Sequence, residues 1–226
     1  MYLRNIQINN FKNYEDASIE LEPGINCFVG ANGSGKTNIL DAVHYLSMCK
    51  SFLHAVDRQN VRFDQNFFSI MGLFQKEEQS YQIHAALKVG AKKIFKINKK
   101  EYEKLADHIG HFPSVVISPY DKDLISEGSE LRRKWMDAII SQSNRAYLYT
   151  IQKYTKVLEQ RNALLKNMNQ HGLFDRESIE VWDAQLIELG NQIHQHRLKF
   201  LDAFIPVFTK HYNQIGLEED RVNLYY

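Results

Sequence analysis

The stretch Gly30-Ala-Asn-Gly-Ser-Gly-Lys-Thr37 decides the fold, because it matches the phosphate-binding template G-x-x-x-x-G-K-[ST]. The template requires a β-strand before the glycine-rich loop and an α-helix after it. Residues 25–29 form a short β-prone run, and apolar residues recur at helical spacing at Ile39, Val43 and Leu46. The sequence therefore predicts a strand, a loop and a helix in the order that a nucleotide-binding site needs.

Each residue type in this loop has its own role in binding phosphate. The glycines let the backbone curl tightly, so that successive N–H groups converge on an anion. Lys36 supplies an ammonium for the β- and γ-phosphates, and the Thr37 hydroxyl is suited to Mg²⁺. The predicted cofactors are ATP and Mg²⁺, and Thr37 is the predicted metal ligand. The predicted nucleotide-binding residues of the loop and the following helix are Gly30, Ala31, Asn32, Gly33, Ser34, Gly35, Lys36, Thr37 and Asn38.

Composition limits the class of protein. The 226 residues are 44% hydrophobic and 24% charged, as in ordinary globular proteins. A formal net charge of +1 excludes a protein that binds nucleic acid by its bulk charge. No apolar run is long enough to span a bilayer, and the N-terminus lacks the apolar core of a signal peptide, so we expect a cytoplasmic protein.

Two strand patterns precede the phosphate loop. Residues 3–11 and 17–21 alternate apolar and polar side chains, and residues 13–16 supply a turn between them. A simple nucleotide kinase usually begins with the loop strand itself. A β-hairpin that leads into a phosphate loop is instead typical of ABC-type ATPases.

Longer stretches resemble a known family. Asn10-Phe-Lys-Asn-Tyr14, together with residues 30–42, resembles the head domain of the SMC-like ABC ATPases. Later stretches narrow the resemblance to the RecF family of recombinational repair proteins. They are Ser118-Pro119, residues 128–137, and residues 154–166 with the core Gln160-Arg161-Asn162.

The resemblance implies an ATP-binding and DNA-binding protein of DNA repair, replication and the SOS response. It further implies that two RecF subunits dimerise on DNA when ATP is bound, with a preference for double-stranded DNA or gap junctions. RecR and RecO would be its partners in loading recombinase at gaps. The resemblance also places Lys12 and Asn13 near the nucleotide, although a solvated turn is an equally good interpretation of these two residues.

The predicted fold is α/β, with an ABC-type P-loop ATPase lobe and an inserted helical lobe. The first lobe, residues 1–120, combines a mixed sheet with an antiparallel β layer. Residues 121–212 form the helical lobe, and residues 213–226 begin the return to the first lobe. The elements expected within these bounds are a strand meander over 67–97, a buried parallel strand at 115–117, and helices over 129–141, 147–167 and 178–204.

Further local predictions concern the helical lobe, residues 222–226 and the helix after the phosphate loop. Residues 170–172 are expected to break the helical pattern, and Pro206 either ends or kinks the last helix. Residues 222–226 could begin a strand. Asp41, on the helix after the loop, could simply face solvent.

The sequence contains neither a Leu-Ser-Gly-Gly-Gln-like signature nor a Walker B strand that ends in Asp and a catalytic acid. Residues 115–121 imitate a Walker B strand only superficially, since Pro119 would interrupt the strand. RecF-like proteins run well past this length, so we interpret the chain as an N-terminal part of such a protein. We expect weak DNA-dependent ATPase activity of a full-length protein and negligible turnover by residues 1–226.

Other functions remain open. The chain could be another SMC-like ABC ATPase associated with a nuclease, a small-molecule kinase, or an interaction module with a vestigial phosphate loop. A basic cluster is also ambiguous between a DNA contact and a solvated hairpin, and we favour the hairpin. The cluster comprises Lys92, Lys93, Lys96, Lys99 and Lys100.

Overall fold

The structure is a computed structural model that describes residues 1–216 and 222–226. The chain divides into two compact units, residues 1–118 and 119–226. Among the described residues, no helix has both the length and the apolar character needed to cross a bilayer.

The first unit is built on a six-stranded sheet whose neighbouring strands are all antiparallel. The strand order is β2-β1-β3-β4-β5-β6. Its strands are β1 (Tyr2–Phe11), β2 (Tyr14–Glu20), β3 (Phe67–Lys76), β4 (Gln79–Lys88), β5 (Ile94–Ile97) and β6 (Lys100–Glu101). The predicted hairpin and meander are therefore confirmed.

One face of this sheet is buried by helix α1 (Lys36–Met48), which follows the phosphate loop. Period-2 alternation places Ile6, Ile8 and Ile70 in the core, and Tyr45 and Leu46 of α1 pack against that face. The helix approaches β3 closely at Gly72, where an added Cβ would lie 2.5 Å from Cδ1 of Leu46. The lack of a side chain at position 72 therefore sets how near the helix lies to the sheet.

Two predicted strands are not formed. Residues 25–29 and 115–117 have no regular secondary structure, and Ile25, Val29 and Ile117 are all exposed. A strand is fixed by hydrogen bonds to its neighbours, and among the described residues neither segment pairs with another strand. Of the predicted mixed sheet, the described residues therefore form only the antiparallel layer.

Local hydrogen bonds take the place of strand pairing before the phosphate loop. The side chain of Asn26 accepts a bond from the Glu22 amide at 3.0 Å and donates one to the Glu22 carbonyl at 2.8 Å. Such side chain to backbone bonds compete with extended structure. They hold residues 22–26 as a turn.

The second unit is helical. Its elements are α2 (Asp123–Ser126), α3 (Ser129–Ser143), α4 (Arg145–His171) and α5 (Arg176–Ile215). Asn144 begins α4 by accepting a hydrogen bond from the Tyr147 amide at 3.0 Å. Gly172, at φ 65°, ends α4 where the sequence predicts a break.

The end of α5 differs from the prediction. The helix runs through Pro206 to Ile215, so of the two predicted outcomes, an end or a kink at Pro206, the structure rules out the end. Rings spaced four residues apart, from Phe200 to Tyr212, pack in succession along the helix on both sides of the proline. These contacts support helical turns that the proline alone would weaken. The return to the first lobe is predicted for residues 213–226. Residues 213–215 instead belong to α5, residues 217–221 lie outside the described residues, and the strand considered for residues 222–226 is not formed.

A partly buried polar network connects the three long helices. Arg197 of α5 donates two 2.8 Å hydrogen bonds to the Asp137 carboxylate on α3. The Tyr147 hydroxyl of α4 donates a third bond to the same carboxylate at 2.5 Å. Asp137 therefore links α3 to both α4 and α5, beside a core that includes Met136 and Ile193.

Candidate nucleotide-binding site

The phosphate loop is closed around the ammonium of Lys36. Its Nζ atom donates hydrogen bonds to the carbonyl oxygens of Gly30 and Ala31, each at 2.8 Å. The Ser34 amide donates to the Ala31 carbonyl at 3.2 Å, which forms a turn within the loop. The lysine thus lies within the curve of the backbone, at the N-terminal end of α1, where the helix dipole favours an anion.

The glycines at positions 33 and 35 adopt backbone conformations that side chains rarely take. Their φ angles are +81° and +100°. Gly35 also has no space for a side chain, because an added Cβ would lie 2.7 Å from Nδ2 of Asn13 and 2.9 Å from Cε2 of Tyr14. The loop is therefore in close contact with the turn between β1 and β2.

Asn13 connects this turn to both parts of the site. Its Nδ2 atom lies 3.5 Å from the Gly33 carbonyl, and its Oδ1 atom accepts a 2.7 Å hydrogen bond from Nδ2 of Asn38. The structure thus brings together Asn13, the phosphate loop and the first turn of α1. Asn32, Ser34 and the predicted metal ligand Thr37 are exposed at this surface.

Lys12 does not extend freely toward the loop. Its ammonium pairs with the carboxylate of Asp41, and the two side chains are only 6% and 0% exposed. The expectation that Asp41 faces solvent is wrong, because this carboxylate also accepts bonds from Oγ of Ser51 at 2.6 Å and from the Phe52 amide at 2.8 Å. A buried carboxylate persists only when it is paired in this way.

A second ion pair lies at the other end of α1. Nζ of Lys93 contacts the Asp57 carboxylate at 2.7 Å and the Cys49 carbonyl at 2.6 Å. The Tyr45 hydroxyl donates to Asp57 at 2.8 Å. Burial, followed by the nearby Asp57, raises the pKa of Tyr45 far above its ordinary value.

This pairing changes the interpretation of the lysine cluster. The Lys93 side chain is only 14% exposed and forms an ion pair with Asp57, so it is not part of an exposed basic surface. Lys96 is half-buried and lies opposite His84 and Glu101 in the sheet. The exposed members are Lys92, Lys99 and Lys100.

The N-terminal third of the chain matches a known family profile. The profile described as AAA ATPase domain matches residues 1–72, a range that includes the hairpin, the phosphate loop and α1.

Complete proteins extend the similarity to the whole chain. The DNA replication and repair protein RecF of Phocaeicola vulgatus is 44% identical over 227 aligned positions, which cover 100% of this chain and 60% of that protein. The predicted resemblance to RecF is confirmed. The chain thus spans about three fifths of the length of this RecF relative.

Solved structures of RecF agree with the fold. The recombination mediator RecF–ATPrS of the RecFOR pathway superposes with a TM-score of 0.89 at 32% identity, covering 95% of this chain and 58% of that one. The corresponding RecF–ATP structure also has a TM-score of 0.89, at 30% identity, covering 98% and 63%. The α/β fold of a P-loop ATPase lobe is therefore confirmed.

Sequence reasoning missed the part of the site that is buried. Asp41 and Ser51 are ten residues apart and match no motif, so only the folded chain shows that Ser51 bonds to the carboxylate that pairs with Lys12. One signal was available: an acidic residue follows Lys36 by five positions, among apolar neighbours on the predicted helix. That position lies on the buried side of the helix, where a carboxylate needs a partner.

Proposed function

We propose that this chain binds ATP with Mg²⁺ at residues 30–38, as part of a DNA-binding protein of recombinational repair and replication. The observation that carries the proposal is the position of the Lys36 ammonium, 2.8 Å from two loop carbonyls at the N-terminal end of α1. An incoming phosphate would be a stronger partner for this ammonium than a neutral carbonyl. The similarity to a solved RecF–ATP structure supports ATP as the ligand.

The metal proposal depends on Thr37. This residue is exposed in the first turn of α1, directly after the phosphate-binding lysine. An oxygen ligand of this kind suits Mg²⁺, which usually keeps several waters and is held by one or two protein oxygens together with phosphates. Bound Mg²⁺ would screen the charge of the triphosphate. Thr37 would supply one oxygen to hold it.

The remaining roles follow from the relationship to RecF. We propose ATP-dependent pairing of two subunits on double-stranded DNA or gap junctions, with RecR and RecO as partners in the cytoplasm. The relatives are named for DNA replication and repair and for the RecFOR pathway, which supports this assignment. Because no signature motif or Walker B motif occurs in these 226 residues, we infer that they bind nucleotide with negligible turnover.

The nucleotide proposal is tested by titrating the 226-residue chain with a fluorescent ATP analogue in the presence of Mg²⁺. Lys36→Ala removes the ammonium, so we expect its affinity to fall by at least about tenfold. Lys50→Ala is the matched control, because Lys50 is exposed just beyond the opposite end of α1. An unchanged affinity in K36A would place the nucleotide elsewhere, and transfer of phosphate to a small acceptor without DNA would indicate a kinase.

The DNA proposal is tested by the fluorescence anisotropy of a labelled duplex with and without ATP. We expect binding that requires nucleotide and weakens steeply with salt, because phosphate contacts release counterions. Binding that ignores both ATP and salt would contradict it.

A further inference from the structure

Asn38 precedes Asp41 by three residues, so the two side chains lie on the same face of α1. These two side chains contact consecutive residues of the β1–β2 turn: Asn38 donates to Asn13, and Asp41 pairs with Lys12. The N-terminal part of α1 therefore contacts the β1–β2 turn at two adjacent residues. One contact is a neutral hydrogen bond and the other is a buried ion pair.

The turn needs such support because its backbone is unfavourable. Lys12 has a φ of +53°, in the left-handed region that residues with a Cβ seldom adopt. Its amide donates to the Asn60 carbonyl at 2.8 Å, and its ammonium is drawn to Asp41. These contacts fix the direction in which the next residue, Asn13, leaves the turn.

That direction determines the shape of the phosphate loop. Asn13 lies 3.5 Å from the Gly33 carbonyl, and it fills the space beside Gly35 that a Cβ would occupy. A displaced turn would release the loop on the side where its backbone curls. The contacts thus run from Asp41 through Lys12 and Asn13 to the loop.

From these contacts we infer that Asp41 is a positioning residue of the nucleotide site, which acts through Lys12 and Asn13 on the phosphate loop. The inference rests on the proposed function, since it concerns the same site. Asp41 touches no ligand in this role. Its carboxylate holds the turn so that the loop is already shaped for phosphate.

A rival role for Lys12 predicts the opposite change in the affinity for ATP when the charge of Asp41 is removed. If Asp41 merely withheld the Lys12 ammonium from the nucleotide, loss of the carboxylate's charge would free that ammonium and tighten ATP binding. If Asp41 positions the turn, the same change loosens the loop and weakens binding. Asp41→Asn separates the two, because the amide keeps the size of the side chain and the oxygen that accepts from the Phe52 amide.

The test measures the affinity of the 226-residue chain for a fluorescent ATP analogue, together with the melting temperature of each variant. We expect D41N to bind about tenfold more weakly than wild type, and Asn13→Ala to show a similar loss. The double variant should lose little more than either single one, because both changes break one chain of contacts.

A control variant separates positioning from a general loss of stability. Asp57→Asn weakens the ion pair with Lys93 at the other end of α1. It should lower the melting temperature and leave the nucleotide affinity within about twofold of wild type.

The outcomes are distinguishable. Tighter or unchanged binding by D41N, in a protein whose Lys36→Ala variant loses binding, would overturn the inference and leave the proposed function standing. Affinity losses that simply follow the melting temperature across all variants would also overturn it. If the wild-type chain bound no ATP, the proposed function would fail and the inference would fall with it.

Discussion

The close contact between Gly35 and the β1–β2 turn gives a prediction whose size can be worked from the structure. Alanine at a positive φ costs about 1–2 kcal/mol, and at Gly35 the φ is +100°. The new Cβ would also lie 2.7–2.9 Å from atoms of Asn13 and Tyr14. Overpacking of this kind costs about 1–3 kcal/mol, so we expect Gly35→Ala to lose about 2–5 kcal/mol in all.

Gly33→Ala is the matched variant. Gly33 has a similar φ of +81°, and no atom lies within 4 Å of its added Cβ. This variant should therefore show the backbone cost alone, about 1–2 kcal/mol. The difference between the two variants measures the contact between the loop and the turn.

The assay must report on the first unit. Both tryptophans of the chain, Trp135 and Trp182, lie in the second unit, so their fluorescence would follow the wrong transition. Hydrogen-exchange mass spectrometry of peptides from β1 and α1 gives the opening free energy of the first unit directly. Gly35→Ala should also weaken ATP binding more than Gly33→Ala does.

Equal losses in the two variants would refute the reasoning, because the backbone term alone would then account for both. A Gly35→Ala loss that persists unchanged after Asn13 is replaced by alanine would also count against a contact with that side chain. Partial recovery is expected in the double variant, since Tyr14 still crowds the site.

Three further predictions concern groups away from the loop. Burial raises the pKa of the Cys49 thiol to about 12, so a thiol reagent should label exposed Cys27 in the native chain and leave Cys49 unreacted until unfolding. Burial lowers the pKa of His108 to about 4, so the folded state favours the neutral ring. The contribution of His108 to stability should therefore be fully present above pH 6.5 and be lost as the pH falls toward 4. His108→Gln should flatten that part of the pH profile of hydrogen exchange. Arg197→Lys cannot keep both bonds to Asp137, and we expect a loss of about 1–3 kcal/mol, read by tryptophan fluorescence during denaturation.

The elements that the sequence predicts correctly are those with a local cause. Helix α1 follows from a glycine-rich loop and an apolar repeat, and the hairpin of β1 and β2 follows from two alternating runs around a turn. Each of these features can be recognised from a dozen neighbouring residues.

The two strands that are not formed have a non-local cause. Residues 25–29 have a β-prone composition and residues 115–117 have the apolar composition of a buried parallel strand. The main chains of both segments nevertheless do not pair with other strands among the described residues. Composition shows that a segment is able to pair, but the partner strand decides whether it does. Asn26 shows the competing local choice, because its side chain satisfies the backbone of Glu22, which precedes it by four residues.

The phosphate loop combines both kinds of cause, which explains why its motif identifies the site but not its support. The glycines and Lys36 are fixed in sequence by what a phosphate requires. The surface that shapes the loop comes from Asn13, more than fifteen residues earlier, and that surface depends in turn on the Asp41 carboxylate on the buried face of α1. Such a carboxylate is costly unless every partner is in place, so its pairing with Lys12 makes the hairpin and the helix a single unit. A change in either element should therefore alter the shape of the phosphate loop, even where no motif residue has been changed.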